Sequence, residues 1–234
     1  IAMAAAASIF LPALVWAERR SVRPILDTSL FRARQYTFGV AVLVGHYLAH
    51  GGVLLMAPFL LIDALDFSAT KMGLFIAAFS MARTFLAPVA GRLSDTLGPR
   101  VFLVMGNVLF AAALLWLYHL GTGTDQWALL VAFLVAGAGA AFVEPVVTSV
   151  IMGAVPYDRL GTASASVAMG RQVAFAVGVT VAGAIFTVRE NAQVVGLVTR
   201  DFVEEVASRE AIALGFGDTM LAGVALASLA AVMS

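Results

Sequence analysis

The chain is written as a succession of long apolar runs separated by short polar stretches. Seven runs occur, at about 1–17, 37–62, 72–90, 101–120, 127–153, 162–188 and 211–233. A helix needs about 20 apolar residues to cross a bilayer. Barrel strands would instead alternate over about ten residues. Charged residues make up 12% of the chain, against roughly 25% in a soluble domain. These features predict an all-α membrane protein. Gly137-Ala138-Gly139-Ala140-Ala141 and the small residues between Ala163 and Gly170 allow helices to approach closely. Pro58, Pro88 and Pro145 fall inside spans, where neighbouring helices can satisfy the freed backbone groups.

Composition also excludes function classes. Lys+Arg and Asp+Glu both number 14, so net charge is zero, which argues against a nucleic-acid surface. The chain has no cysteine, hence no disulfide, thiolate metal site or cysteine nucleophile. No cofactor and no metal is expected. The first residue is Ile1 and the last residues are still apolar, so both ends read as truncated. Basic residues follow the run 1–17 rather than precede it, the wrong polarity for a signal peptide.

The polar stretches separate by charge. Segment 18–36 carries Arg19, Arg20, Arg23, Arg32 and Arg34, the turn 91–100 carries Arg92 and Arg100, and 154–161 carries Arg159. The intervening short loops, 63–71 and 121–126, hold a single basic residue, Lys71. The positive-inside rule places the first set in the cytoplasm. The acidic loop 189–210 is then external, and Asp63 and Asp66 form a solvated outer rim. Segment 18–36, with Pro24, reads as a basic linker between one span at 1–17 and a six-helix block over 37–234.

The turn Gly91-Arg92-Leu93-Ser94-Asp95-Thr96-Leu97-Gly98-Pro99-Arg100 is expected to be a tight hairpin. Gly91 would end one helix at positive φ. Asp95 would face the positive end of the next helix dipole, with Arg92 and Arg100 pairing with it and with anionic lipid. On physics alone a plain charged cytoplasmic turn fits equally well.

The same string resembles the signature of the major facilitator superfamily, Gly-x-Leu-x-Asp-x-x-Gly-x-Arg/Lys, carried here by Gly91, Leu93, Asp95, Gly98 and Arg100. That signature lies between the second and third helices of each six-helix half, and here it lies between the second and third spans of 37–234. Thr96 and Pro99 stand where the stronger, N-terminal copy has basic residues, so the string is more similar to the C-terminal copy. Pro24-Ile25-Leu26-Asp27-Thr28-Ser29-Leu30-Phe31-Arg32 resembles the linker of the fourteen-helix drug:proton antiporter branch. Arg159-Leu160-Gly161-Thr162-Ala163-Ser164-Ala165, with Arg171-Gln172 and Gly178, is similar to that branch's penultimate helix. The resemblance implies a C-terminal six-helix bundle preceded by the end of a central linker helix, with the N-terminal half missing. It implies alternating access, protons and a hydrophobic or cationic small molecule as partners, and a bacterial inner membrane. In that branch the main proton-carrying carboxylate generally belongs to the other half.

Ionisable groups at bilayer depth are functional candidates by default. Glu144 and Arg171 lie about 13 Å from the cytoplasmic ends of their spans, Arg83 about 11 Å and His46 about 13 Å. The four form one layer if they face one another. Glu144 is then an ion-pair partner of Arg171 or Arg83, and Pro145 beside it would kink the helix and free a carbonyl. A purely structural pair, or arginines snorkelling to the surface, is the competing reading. His46 and His50, spaced i, i+4, are expected to line the cavity with Gln172. No carboxylate completes a metal motif in sequence. In the resembled family the first, second, fourth and fifth helices of a half line the cavity or the interface between the halves, and those spans carry these residues. A retinal receptor needs a lysine in the last helix, but the single lysine is Lys71, in a loop. A membrane enzyme would want a nucleophile motif, and none is visible.

Overall fold

A computed structural model describes residues 28–119, 125–198 and 204–234. The expected span at 1–17 and residues 18–27 of the basic linker lie outside the described residues. Among the described residues six helices are long and apolar enough to cross a membrane. They are α1 (Arg34–Pro58, continued as a π-helical turn over Phe59–Ala64), α2 (Ala69–Leu97), α3 (Pro99–Tyr118), α4 (Gln126–Gly153), α5 (Leu160–Val198) and α6 (Glu204–Met233). Short 3₁₀ turns, Thr28–Arg32 and Tyr157–Arg159, precede α1 and α5. Arg159 Nη1 donates to Ser29 Oγ at 2.8 Å, tying these two turns together.

Start signals are visible in the sequence. Ser68 caps α2 by accepting from the Lys71 N–H, and Asp125 caps α4 by accepting from the Trp127 N–H. Pro99 opens α3, where its missing N–H costs nothing. Pro58 sits where α1 passes into the π-helical turn, a widening that accommodates a residue without an N–H.

The signature region differs from the expected ten-residue turn. Helix α2 continues through Gly91 to Leu97, and the chain reverses at Gly98 alone. Gly98 has φ +89 and Gly91 is helical. Nothing between Gly91 and Leu97 forbids helix, and Ser94 Oγ donates back to the Gly91 carbonyl. The polar residues therefore form the last turns of the helix, extending beyond its apolar run. Pro99 disfavours helix at the residue before it, and only glycine tolerates the backbone found there. Among the described residues no ion pair joins Asp95 to Arg92 or Arg100; all three are exposed.

The expected loop 189–210 is corrected in the same way. Helix α5 runs to Val198 and α6 begins at Glu204. Only 199–203 separate them, and these lie outside the described residues. Residues 189–198 contain no proline, and their polar members, Arg189, Glu190, Asn191 and Gln193, do not break a helix, so α5 runs on through them.

Helices α1 and α4 touch each other at the centre. Helix α1 also packs on α5 and α6, α4 on α2 and α3, and α3 and α6 close the back of the bundle. Helices α2 and α5 flank this arrangement. Of the most apolar window of α2 only 11% is buried, and of α5 22%, against 56% for α4. The core is apolar and aromatic, with Phe110, Leu114, Leu117, Leu129 and Phe216 almost fully buried. At the α1–α5 and α2–α4 crossings only glycine fits. A Cβ on Gly178 would collide with the Leu48 backbone across α1–α5, and one on Gly137 with the Phe79 carbonyl across α2–α4.

Candidate functional site

The site is built where those two crossings bring four helices together. Gly178 lets α5 lie directly on α1, and Gly137 lets α2 lie directly on α4. Side chains facing inward from α1, α2 and α4 at this level must therefore meet. His46 and His50 share one face of α1, one turn apart, and are 0% and 5% exposed. Glu144 comes from α4 and its side chain is 11% exposed. Arg83 comes from α2 with its side chain 41% exposed.

Arg83 Nη2 lies 2.6 Å from Glu144 Oε2. The other carboxylate oxygen, Oε1, faces the histidines, 3.4 Å from His50 Nδ1 and 4.0 Å from His46 Nε2. Between the two candidate partners, Glu144 thus pairs with Arg83. Arg171 lies elsewhere, its guanidinium 5.9 Å from the Tyr47 ring centroid. Tyr47 in turn stacks on His50 at 5.9 Å with an interplanar angle of 16°. A row of groups results, from Arg171 on α5 through Tyr47, His50 and Glu144 to Arg83 on α2. Gln172 is exposed beside Arg171 and makes no hydrogen bond among the described residues.

Both histidines sit inside the bundle rather than on an open cavity wall. Phe110 packs 4.9 Å from the His46 ring, and Phe79 5.2 Å from His50. Asn107 of α3 is 0% exposed and donates Nδ2–H to the Leu103 carbonyl at 3.0 Å, while its Oδ1, like both ring nitrogens of His46, has no hydrogen-bond partner among the described residues. Glu144 is followed by Pro145, which has no N–H to give the Ala141 carbonyl one turn back. The Glu144 carbonyl accepts from Thr148 Oγ1 at 2.8 Å.

Tyr47 and Asn107 were not singled out by the sequence as parts of the site. Asn107 could have been, because an amide in the apolar run 101–120 needs a partner inside the bundle. Tyr47, between the two histidines, carries no such mark. The signature residues Gly91, Leu93, Asp95, Gly98 and Arg100 lie apart, around the turn between α2 and α3.

Fold and site together define a polytopic helical membrane protein with a buried carboxylate held between an arginine and two histidines. The sequence model of the Major Facilitator Superfamily matches residues 39–198, from α1 to the end of α5, and the chain belongs to that family. It is 31% identical over 171 residues to Multidrug resistance protein Stp of Mycobacterium tuberculosis, covering 73% of this chain and 32% of that one. It is 27% identical over 183 residues to Multidrug export protein EmrB of Escherichia coli, covering 76% and 35%. It is 23% identical over 184 residues to Lincomycin resistance protein LmrB of Listeria monocytogenes, covering 79% and 39%. The chain thus spans between 32% and 39% of the length of these relatives.

Proposed function

We propose that this chain is the C-terminal half of a proton-coupled multidrug efflux antiporter of a bacterial inner membrane, working by alternating access. The observation that carries this reading is the exposure of charge at bilayer depth. Arg171 is exposed on α5, and Arg83 is 41% exposed on α2. A bare guanidinium facing lipid is costly. The exposed sides of α2 and α5 that carry these arginines therefore border a water-filled cavity or the other half of the transporter. Glu144 lies between them and holds an ionisable group within reach of that cavity. The names of the relatives, which speak of multidrug and lincomycin resistance, support export of small molecules. A hydrophobic or cationic substrate suits a carboxylate in an aromatic surround. The helix ends with Arg92 and Arg100 and the turn with Arg159 are cytoplasmic.

The test is a drug-resistance and accumulation assay on the intact full-length protein, with and without a proton gradient. Gradient-dependent export of cationic drugs is expected. Transport of another small solute without drug export would replace the antiporter reading by that of a different facilitator.

A further inference from the structure

Three buried atoms converge without satisfying one another. His46 Nε2, His50 Nδ1 and Glu144 Oε1 each lack a hydrogen-bond partner. All three lie within 4.8 Å of one another. His50 Nδ1 and Glu144 Oε1 are only 3.4 Å apart, yet their alignment closes no hydrogen bond. Buried polar atoms left unpaired cost free energy, and native structures rarely leave several together. Convergent lone pairs without mutual hydrogen bonds are the arrangement of ligands around a shared ion.

We propose that His46 Nε2, His50 Nδ1 and Glu144 Oε1 bind a divalent transition cation of the zinc class. Two imidazoles and a carboxylate are a donor set for zinc, leaving a fourth position open. With metal–ligand bonds of about 2.0–2.1 Å, tetrahedral ligand atoms stand about 3.4 Å apart. The His50–Glu144 edge already has that length. The His46–Glu144 edge, 4.0 Å, closes by a small rotation of the imidazole.

The surround suits the role. Phe79 and Phe110 exclude water from the histidines. Arg83 holds Glu144 through Oε2 and leaves Oε1 to the ion. Its positive charge opposes a cation, so Arg83 lowers the affinity and competes for Glu144. Ligation also requires deprotonated imidazoles, so protons compete with the metal.

The test uses the full-length protein in detergent, titrated with Co²⁺, whose visible absorption reports coordination directly. Size-exclusion profiles check the fold of each variant. We expect saturable binding that weakens on mild acidification, with the apparent Kd raised at least about 10-fold in His50→Ala and in Glu144→Gln. Arg83→Gln should bind at least as tightly as the parent. It keeps all three ligands, so it decides the matter even if His50→Ala does not fold. Absence of saturable absorption in the parent, unchanged binding in a folded His50→Ala, or weaker binding in Arg83→Gln would each overturn the proposal. The inference uses the same residues as the transport reading but needs no transport to be read. A protein that exports drugs yet binds no Co²⁺ sinks the metal site alone.

Discussion

At the residue scale, Glu144 was legible as an important position because a carboxylate in an apolar run is costly and needs a reason. Depth along the helix placed Arg83, Arg171 and His46 in its layer. Depth does not give azimuth, so it could not choose between two arginines. The choice is made by the α2–α4 crossing at Gly137, which turns Arg83 onto Glu144, while Arg171 rests against Tyr47. Removing Arg83 should leave the carboxylate facing only two histidines. Breaking a fully buried pair costs about 3–5 kcal/mol. The Arg83 side chain is 41% exposed, so water replaces part of it, and about 1–2 kcal/mol is expected for Arg83→Ala. Thermal unfolding in detergent measures this. Reversing the pair, Arg83→Glu with Glu144→Arg, should recover part of the loss. Reversing Glu144 with Arg171 should recover none, and recovery there would contradict the geometry.

At the element scale, the helices follow from apolar length, and their number among the described residues agrees with the sequence. Their ends were harder to read, because polar residues that end a membrane run do not end a helix. Gly91 looked like a helix stop, yet it is helical and a Cβ there meets nothing within 4 Å. Gly98, at φ +89, is the stop. Gly91→Ala should be neutral or stabilising, by up to about 1 kcal/mol. Gly98→Ala should cost about 1–2 kcal/mol for the left-handed backbone. Melting temperatures of the two variants check the pair directly. The crossing glycines give a second contrast. Gly178→Val drives side-chain atoms into the Leu48 backbone and should cost about 1–3 kcal/mol or more. Gly73→Ala meets nothing within 4 Å and should be harmless. Sequence marked Gly178 only through a family resemblance, since spacing alone does not say which glycine touches another helix.

At the scale of the whole molecule, the account rests on which sides of α2 and α5 face water or a partner half. The chain has no cysteine of its own, so introduced cysteines in it can be read singly. Gln172→Cys on α5 should react with a membrane-impermeant maleimide in the full-length protein with any cysteine outside this chain replaced, and substrate should change its rate. Trp116→Cys on α3, at a position 41% exposed, should stay unreactive within the lipid. Equal reactivity at both positions would remove the distinction between cavity and lipid faces. The central claim is that Glu144, held by Arg83 and beside two histidines, serves transport rather than only holding helices together. The direct measurement is drug uptake driven by a pH gradient into proteoliposomes, comparing the full-length parent with Glu144→Gln at matched protein content and melting temperature. A charge-assisted bond contributes about 1.5–3 kcal/mol, so the account predicts uptake slowed by roughly 10-fold or more, with its dependence on pH altered. Unchanged uptake with unchanged pH dependence in a folded Glu144→Gln protein would contradict it.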